Sequence, residues 1–165
     1  MSVQKAIIER RSVRSFSTKQ ISDELIMQVL EAGRWAPSAD NKQPWEFIVV
    51  KNPQIRKKLS NISFWGRFLA QAPVAIAVIT NPMTSHTHII DGTCATQNMM
   101  LTAFELGLGT CWIADLNNDE TKQILNVPKD LYVITVTPLG FPDAVPSKSK
   151  RMELRDLIHR DHYDS

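Results

Sequence analysis

Three guanidiniums and a hydroxyl fall within five residues near the start of the chain, in Arg10-Arg11-Ser12-Val13-Arg14. In an extended segment residues 10, 12 and 14 share one face, so two bidentate donors flank an O–H donor, a set suited to a terminal phosphate. A local account competes: Arg10 and Arg11 complement the negative C-terminus of a preceding helix, worth about 0.3–1 kcal/mol at a surface. Lys148-Ser149-Lys150-Arg151 forms a second basic cluster near the other end. Alone it is a solvated tail; if the termini converge, the two clusters enclose one dianion.

Neutral polar chemistry gathers in Ala36-Pro37-Ser38-Ala39-Asp40-Asn41-Lys42-Gln43-Pro44. Ser, Asn and Gln offer donors and acceptors suited to the edge of a heterocycle that carries both, although such residues also bond their own backbone in turns. Gly107-Leu108-Gly109-Thr110-Cys111-Trp112, with Asp130 about 20 residues on, imitates a dinucleotide fingerprint. Its order is wrong, because these glycines close a helix and open a strand. His86 and His88 lack the further ligands a metal needs, and His159 and His162 lie in a charged tail. Cys94 and Cys111 form no C-x-x-C, and Cys111 reads as an inert buried thiol. G-x-S-x-G, P-loop and H-E-x-x-H motifs do not occur.

The elements that must position these groups follow from capping and periodicity. Ser2 caps a short helix, and Ser12 to Phe16 reads as extended. Ser22 caps a helix with Asp23 and Glu24 in its first turn and a buried stripe at Leu25, Ile26, Val29 and Leu30, ending before Pro37. Trp45 to Val50 is apolar on both faces and is predicted mid-sheet, as is Pro73 to Ile79. Between them Pro53 opens a helix to about Leu59, and a second apolar segment covers Phe64 to Ala70. Gly92 to Phe104 reads as a helix with no charge on any side, which must be surrounded; a second subunit is expected to supply part of the cover. Thr110 to Ala114 reads as a strand, Asp119 caps a short helix to Leu125, Leu131 to Leu139 is the last strand, and the basic tail is weakly helical through Leu154, Leu157 and Ile158.

Helices alternating with buried strands over irregular connections imply an α+β layer structure around one sheet. A length of 165 residues fits a single domain, residues 1–165, and 43% hydrophobic with 22% charged residues is ordinary for a globular chain. The net charge of +2, with acidic residues interspersed, argues against nucleic acid, and no apolar run reaches the roughly 20 residues of a membrane span. No signal-peptide core and no disulfide framework is visible, so a cytoplasmic location is expected.

Taken in order, A-I-I-E-R-R-S-V-R-S-F, A-P-S-A-D-N-K-Q-P-W-E-F, D-G-T-C-A-T-Q-N-M-M-L and G-L-G-T-C-W-I, followed by the basic tail, resemble the nitroreductase family of FMN enzymes. The resemblance implies an α+β fold with a central mixed β-sheet flanked by helices, in an intertwined homodimer with two FMN sites built from both chains. It assigns the phosphate to Arg10, Ser12 and Arg14, with Arg11 between them, and to Arg151 with Lys150 or Lys148. Pro37, Ser38, Ala39 and Asn41 match a loop that reaches the partner's flavin. Ile113, Ala114 and Asp115 match a strand end where an N–H can bond flavin N5, and Arg67 matches a basic residue near the pyrimidine edge. The implied activity is hydride transfer from NADH or NADPH through FMN to a small organic acceptor such as a nitroaromatic or quinone, in a ping-pong sequence without a catalytic side chain. A flavin-binding sensor or carrier would use the same residues. Asp115 departs from the W-I-G-x of compact relatives and sets a carboxylate close to the ring, and the short Thr80–Asp91 connection lacks the covering excursion of longer members.

Overall fold

Among the described residues, four of five α-helices begin at a side-chain cap. The computed structural model describes residues 2–163. Ser2 Oγ accepts from Lys5 N at the start of α1 (Val3–Glu9), and Ser22 Oγ from Leu25 N at the start of α2 (Asp23–Arg34). α3 (Pro53–Ile62) begins with proline after Asn52, whose side chain accepts from Gln54 N and Ile55 N. α4 spans His88–Glu105. In α5 (Asp119–Leu125) the cap is Asn118, not Asp119, which sits in the first turn where its charge favours the helix dipole. Short 3-10 turns cover Ala39–Asn41, Phe64–Gln71 and Leu154–Leu157.

The sheet is built from β1 (Trp45–Val50), β2 (Val74–Thr80), β3 (Gly109–Thr110) and β4 (Tyr132–Gly140), in the order β1-β2-β4-β3 with every neighbour antiparallel. The expected mixed character survives, among the described residues, in one parallel bridge between Ser12 and Thr110. β2 is buried along its whole length. Its Ala75, Ala77 and Ile79 join a core with Leu59, Leu69 and Val136, against α3, α5 and the Phe64–Gln71 turn. Its Val74, Ile76 and Val78 join Ile26, Val29, Met99 and Ala103 of α2 and α4 on the other face.

β1 is an edge strand, which corrects the mid-sheet expectation. Its apolar sequence reflects cover on both faces, Phe47 and Val49 packing toward α2 and α4 while Ile48 and Val50 pack with the α3 cluster. The strand expected from Thr110 to Ala114 stops at Thr110. Beyond it, hydroxyls of β4 replace the backbone ladder: Thr137 Oγ1 donates to Cys111 O at 3.0 Å and Thr135 Oγ1 to Ile113 O at 2.9 Å. The same stretch of β4 carries a bulge, where Val78 faces Thr135 but Ile79 faces Val133. No helix among the described residues is long and apolar enough to cross a membrane.

Candidate functional site

The arginine-rich opening leaves α1 and runs extended across β3. Val13 N donates to Thr110 O at 2.9 Å, and a Cβ on Gly109 would meet Val13 at 2.8 Å, so glycine is what lets the two backbones approach. Farther on, Ser17 N donates to Phe141 O and Asp143 N to Ser15 O, both at 3.0 Å. These bonds carry the chain after β4 back alongside the opening, and the charge of Arg151 acts on Arg10. Arg151 of the second basic cluster is thus near enough for its charge to reach Arg10.

The three arginines divide. Arg11 follows the local account: its Nη1 donates to Ile8 O at 2.8 Å and Arg10 O at 2.7 Å, closing the end of α1. Arg10 keeps a buried Nη1 with no hydrogen-bond partner. Burial first, then the Arg11 charge, pushes the Arg10 guanidinium below its ordinary value, with Arg151 adding to the effect. Leaving such a donor unsatisfied costs about 1–3 kcal/mol or more. Arg14 instead lines the larger cavity, its guanidinium carbon 5.8 Å from the centre of the Phe68 ring. Arg10, Ser12 and Arg14 all act on the Cys111 thiol. Burial raises that thiol's pKa, while Arg14, a hydrogen bond with Ser12 and Arg10 pull it back.

The larger cavity, about 820 Å³, lies between residues 111–115 and the turn that follows α3. Arg14, Arg67, Phe64, Trp65 and Trp112 contribute to its walls. Trp65 is 77% exposed and meets Phe64 edge-to-face at 5.1 Å, and Arg67 lies over the Phe64 ring. Sequence reasoning named Arg67 but missed these aromatics, for which the apolar run Phe64 to Ala70 was the only signal. Among Ile113, Ala114 and Asp115, the Ile113 N–H is engaged with Thr135 Oγ1 at 3.4 Å. Among the described residues the Ala114 N–H makes no hydrogen bond, and Asp115 takes a left-handed φ of 62° at the cavity wall. Such strain gathers where a function holds the backbone.

Pro37, Ser38, Ala39 and Asn41 do not line this cavity; their loop is anchored elsewhere in the chain, through Asp91. Lys148, Lys150 and Arg151 are exposed, with Arg151 Nη1 donating to Lys150 O at 3.3 Å. His88 is occupied by Thr80 Oγ1 at 2.9 Å and packs edge-on against Tyr132. The most apolar cavity, about 710 Å³, lies elsewhere, beside β1 and α2, and contains none of the predicted residues.

The model of the nitroreductase family matches residues 7–67 and 64–141. A protein of Archaeoglobus fulgidus, provisionally described as an NADH dehydrogenase/NAD(P)H nitroreductase, is 38% identical over 146 residues, 84% of each chain. The crystal structure of a provisionally described nitroreductase from Desulfovibrio desulfuricans in complex with FMN covers 99% of both chains at 29% identity, with a TM-score of 0.86. An FMN-dependent nitroreductase of Clostridium difficile covers 97% of this chain and 99% of its own at 28% identity and a TM-score of 0.84. With the arginine-rich opening, the strand end and the intervening core all inside the matched region, this chain belongs to the nitroreductase family.

Proposed function

We propose that the protein is an FMN-dependent oxidoreductase that takes a hydride from NADH or NADPH and reduces a small organic acceptor such as a nitroaromatic or a quinone. One observation carries the reading: a buried Arg10 nitrogen without a partner stands at one end of the residue 10–14 segment, and a cavity of about 820 Å³ opens at the other. A phosphate fits the first and a flat ring system the second, within the usual size of a cofactor pocket. Arg10, Ser12 and Arg151, with Lys150 or Lys148, would hold the phosphate. The free Ala114 N–H would face the ring, and the Arg14 and Arg67 guanidiniums would favour negative charge on it. When bound, FMN supplies the hydride and electron transfer.

The chain's own part is to bind, orient and exclude water, and no side chain need move a proton. One cavity of this size supports donor and acceptor entering in turn, which makes the kinetics ping-pong. Asp115 at its wall disfavours anionic acceptors and favours cationic ones. A homodimer completes the cover. On α1 Val3, Ile7 and Ile8 are exposed, as are Ile89 and Ile90 on α4, and the tail exposes Met152, Leu154, Leu157 and Ile158. An apolar surface of that extent marks an interface in a soluble protein.

The test is the absorption spectrum of the purified protein, followed by anaerobic addition of NADH or NADPH and then acceptor. Bound FMN that is bleached by the nicotinamide and restored by the acceptor is expected. Riboflavin binding as tightly as FMN would remove the phosphate argument, and bound flavin that no nicotinamide reduces would make the protein a carrier or sensor.

A further inference from the structure

The Ser38–Gln43 loop is held in a costly backbone. Asp40, Asn41 and Gln43 have φ of 49°, 54° and 47°. Non-glycine residues keep such conformations only when their surroundings over-determine them. Inside the loop, Gln43 N donates to Ser38 Oγ at 3.0 Å and Asn41 N to Ser38 O at 3.1 Å. The side chain that grips the loop backbone from outside is Asp91, whose Oδ1 accepts from Ala39 N at 3.3 Å.

Asp91 is itself an unusual residue to find there. It is 4% exposed, in the first turn of α4, and among the described residues no Lys, Arg or His forms an ion pair with it. Neutral donors surround it: Ser85 Oγ donates to Oδ2 at 2.6 Å, and Thr87 Oγ1 lies 3.3 and 3.2 Å from Oδ1 and Oδ2. A buried carboxylate without a counter-ion is tolerated only when dipoles saturate it, here three side-chain or backbone donors and the positive end of a helix. The arrangement joins three separate stretches of chain, the loop, the Ser85–Thr87 turn and α4. An apolar side chain there would leave the Ala39, Ser85 and Thr87 donors unmatched, so the carboxylate fixes these three stretches of chain to one another.

We propose that Asp91 is a positioning residue for the cofactor. It holds the Ala39 N–H, and through it the strained loop, in the geometry that meets the flavin of the partner subunit, so a charge buried in one protomer sets how tightly the other retains FMN. This rests on the FMN and dimer reading above.

Ala39→Pro tests the link directly. It replaces the N–H with a ring carbon, from which Asp91 Oδ1 can accept nothing, at the first position of a 3-10 turn and after Ser38 whose φ of −145° and ψ of 156° suit a following proline. FMN release from the holoenzyme on dilution, followed by flavin fluorescence, should be about tenfold faster in Ala39→Pro and Asp91→Ala. Asp91→Asn, whose amide oxygen still accepts from Ala39 N, should stay within about threefold of wild type. Hydrogen exchange of residues 40–43 should rise in the first two variants and not in the third. A folded Ala39→Pro dimer that releases FMN at the wild-type rate overturns the proposal. Co-expression of Arg10→Ala chains with Ala39→Pro chains separates the subunits: action across the interface gives mixed dimers with one intact, slowly releasing site, whereas action within one chain gives none and overturns the cross-subunit claim. A colourless wild-type protein that binds no FMN would overturn both this proposal and the reading beneath it, before any variant is made.

Discussion

Residues 111–115 and the Ser38–Gln43 loop both carry left-handed backbone, yet they are fixed by opposite means. The first runs beside β4, where Thr135 and Thr137, each at most 1% exposed, hold the carbonyls of Ile113 and Cys111. The second is largely exposed, and among the described residues the side-chain hydrogen bond that holds its backbone from outside comes from one buried carboxylate. A stretch built on the sheet inherits rigidity from the core. A loop that must reach outward has no core to borrow from and needs a dedicated anchor.

The largest expected effect falls at the sheet-borne half. Arg10→Ala should weaken FMN binding by about 1.5–3 kcal/mol, the range for a hydrogen bond to a charged group, and Arg14→Ala should act in the same range. Arg11→Ala should leave FMN affinity within about 0.5 kcal/mol and cost about 0.3–1 kcal/mol of folding stability, because its guanidinium is committed to the end of α1. Titration of FMN against the three variants, with thermal melts, checks this. Equal losses of affinity at positions 10 and 11 would erase the division of labour between them.

Next comes Thr135→Val, which keeps the shape and removes a hydroxyl that accepts from Ile113 N and donates to Ile113 O. It should destabilise the fold by about 1–3 kcal/mol, since it leaves a buried N–H and C=O unpaired. Ser38→Ala, which removes the acceptor of Gln43 N inside the exposed loop where water can replace it, should hardly move the denaturant midpoint. If both variants melt alike, the contrast between a core-borne and a tethered half fails.

The sequence made the first half legible and left the second half's anchor hidden. Arg10, Arg14, Gly109 and the strand end sit in or beside local motifs, and the caps at Ser2 and Ser22 and the proline that opens α3 mark their helices through local contacts. The position of β1 at the sheet edge was not legible, because a strand covered on both faces by helices has the same apolar pattern wherever it lies in the order. The early end of β3 was not legible, because hydroxyls 22 and 26 residues away take over the ladder beyond Thr110. Asp91 drew no notice for a similar reason. Its partner Ala39 is 52 residues distant and contributes only a backbone N–H, which no side-chain pattern records.

The smallest effect is confined to alkaline solution and reads the sheet-borne half from within. Cys111 is 1% exposed, and burial holds its thiol above the ordinary range, against the pull of Arg14, Ser12 and Arg10. Between the unfolded and folded pKa values the unfolded chain has lost this proton and the native protein still carries it, so stability falls as pH rises. The loss should begin near the usual thiol range, about 8.5, and grow until the folded thiol itself titrates. Below that range Cys111 contributes no pH dependence. Urea midpoints of wild type and Cys111→Ser, compared from neutral to alkaline pH, should run parallel at first and then converge as the wild type alone loses the stability linked to this thiol. Curves that diverge instead, with the wild type gaining stability as pH rises, would mean that the arginine face lowers the thiol by more than burial raises it. Cys111 would then be a thiolate-prone group at the cavity wall, and it should react with iodoacetamide in the folded protein, where a buried neutral thiol should not.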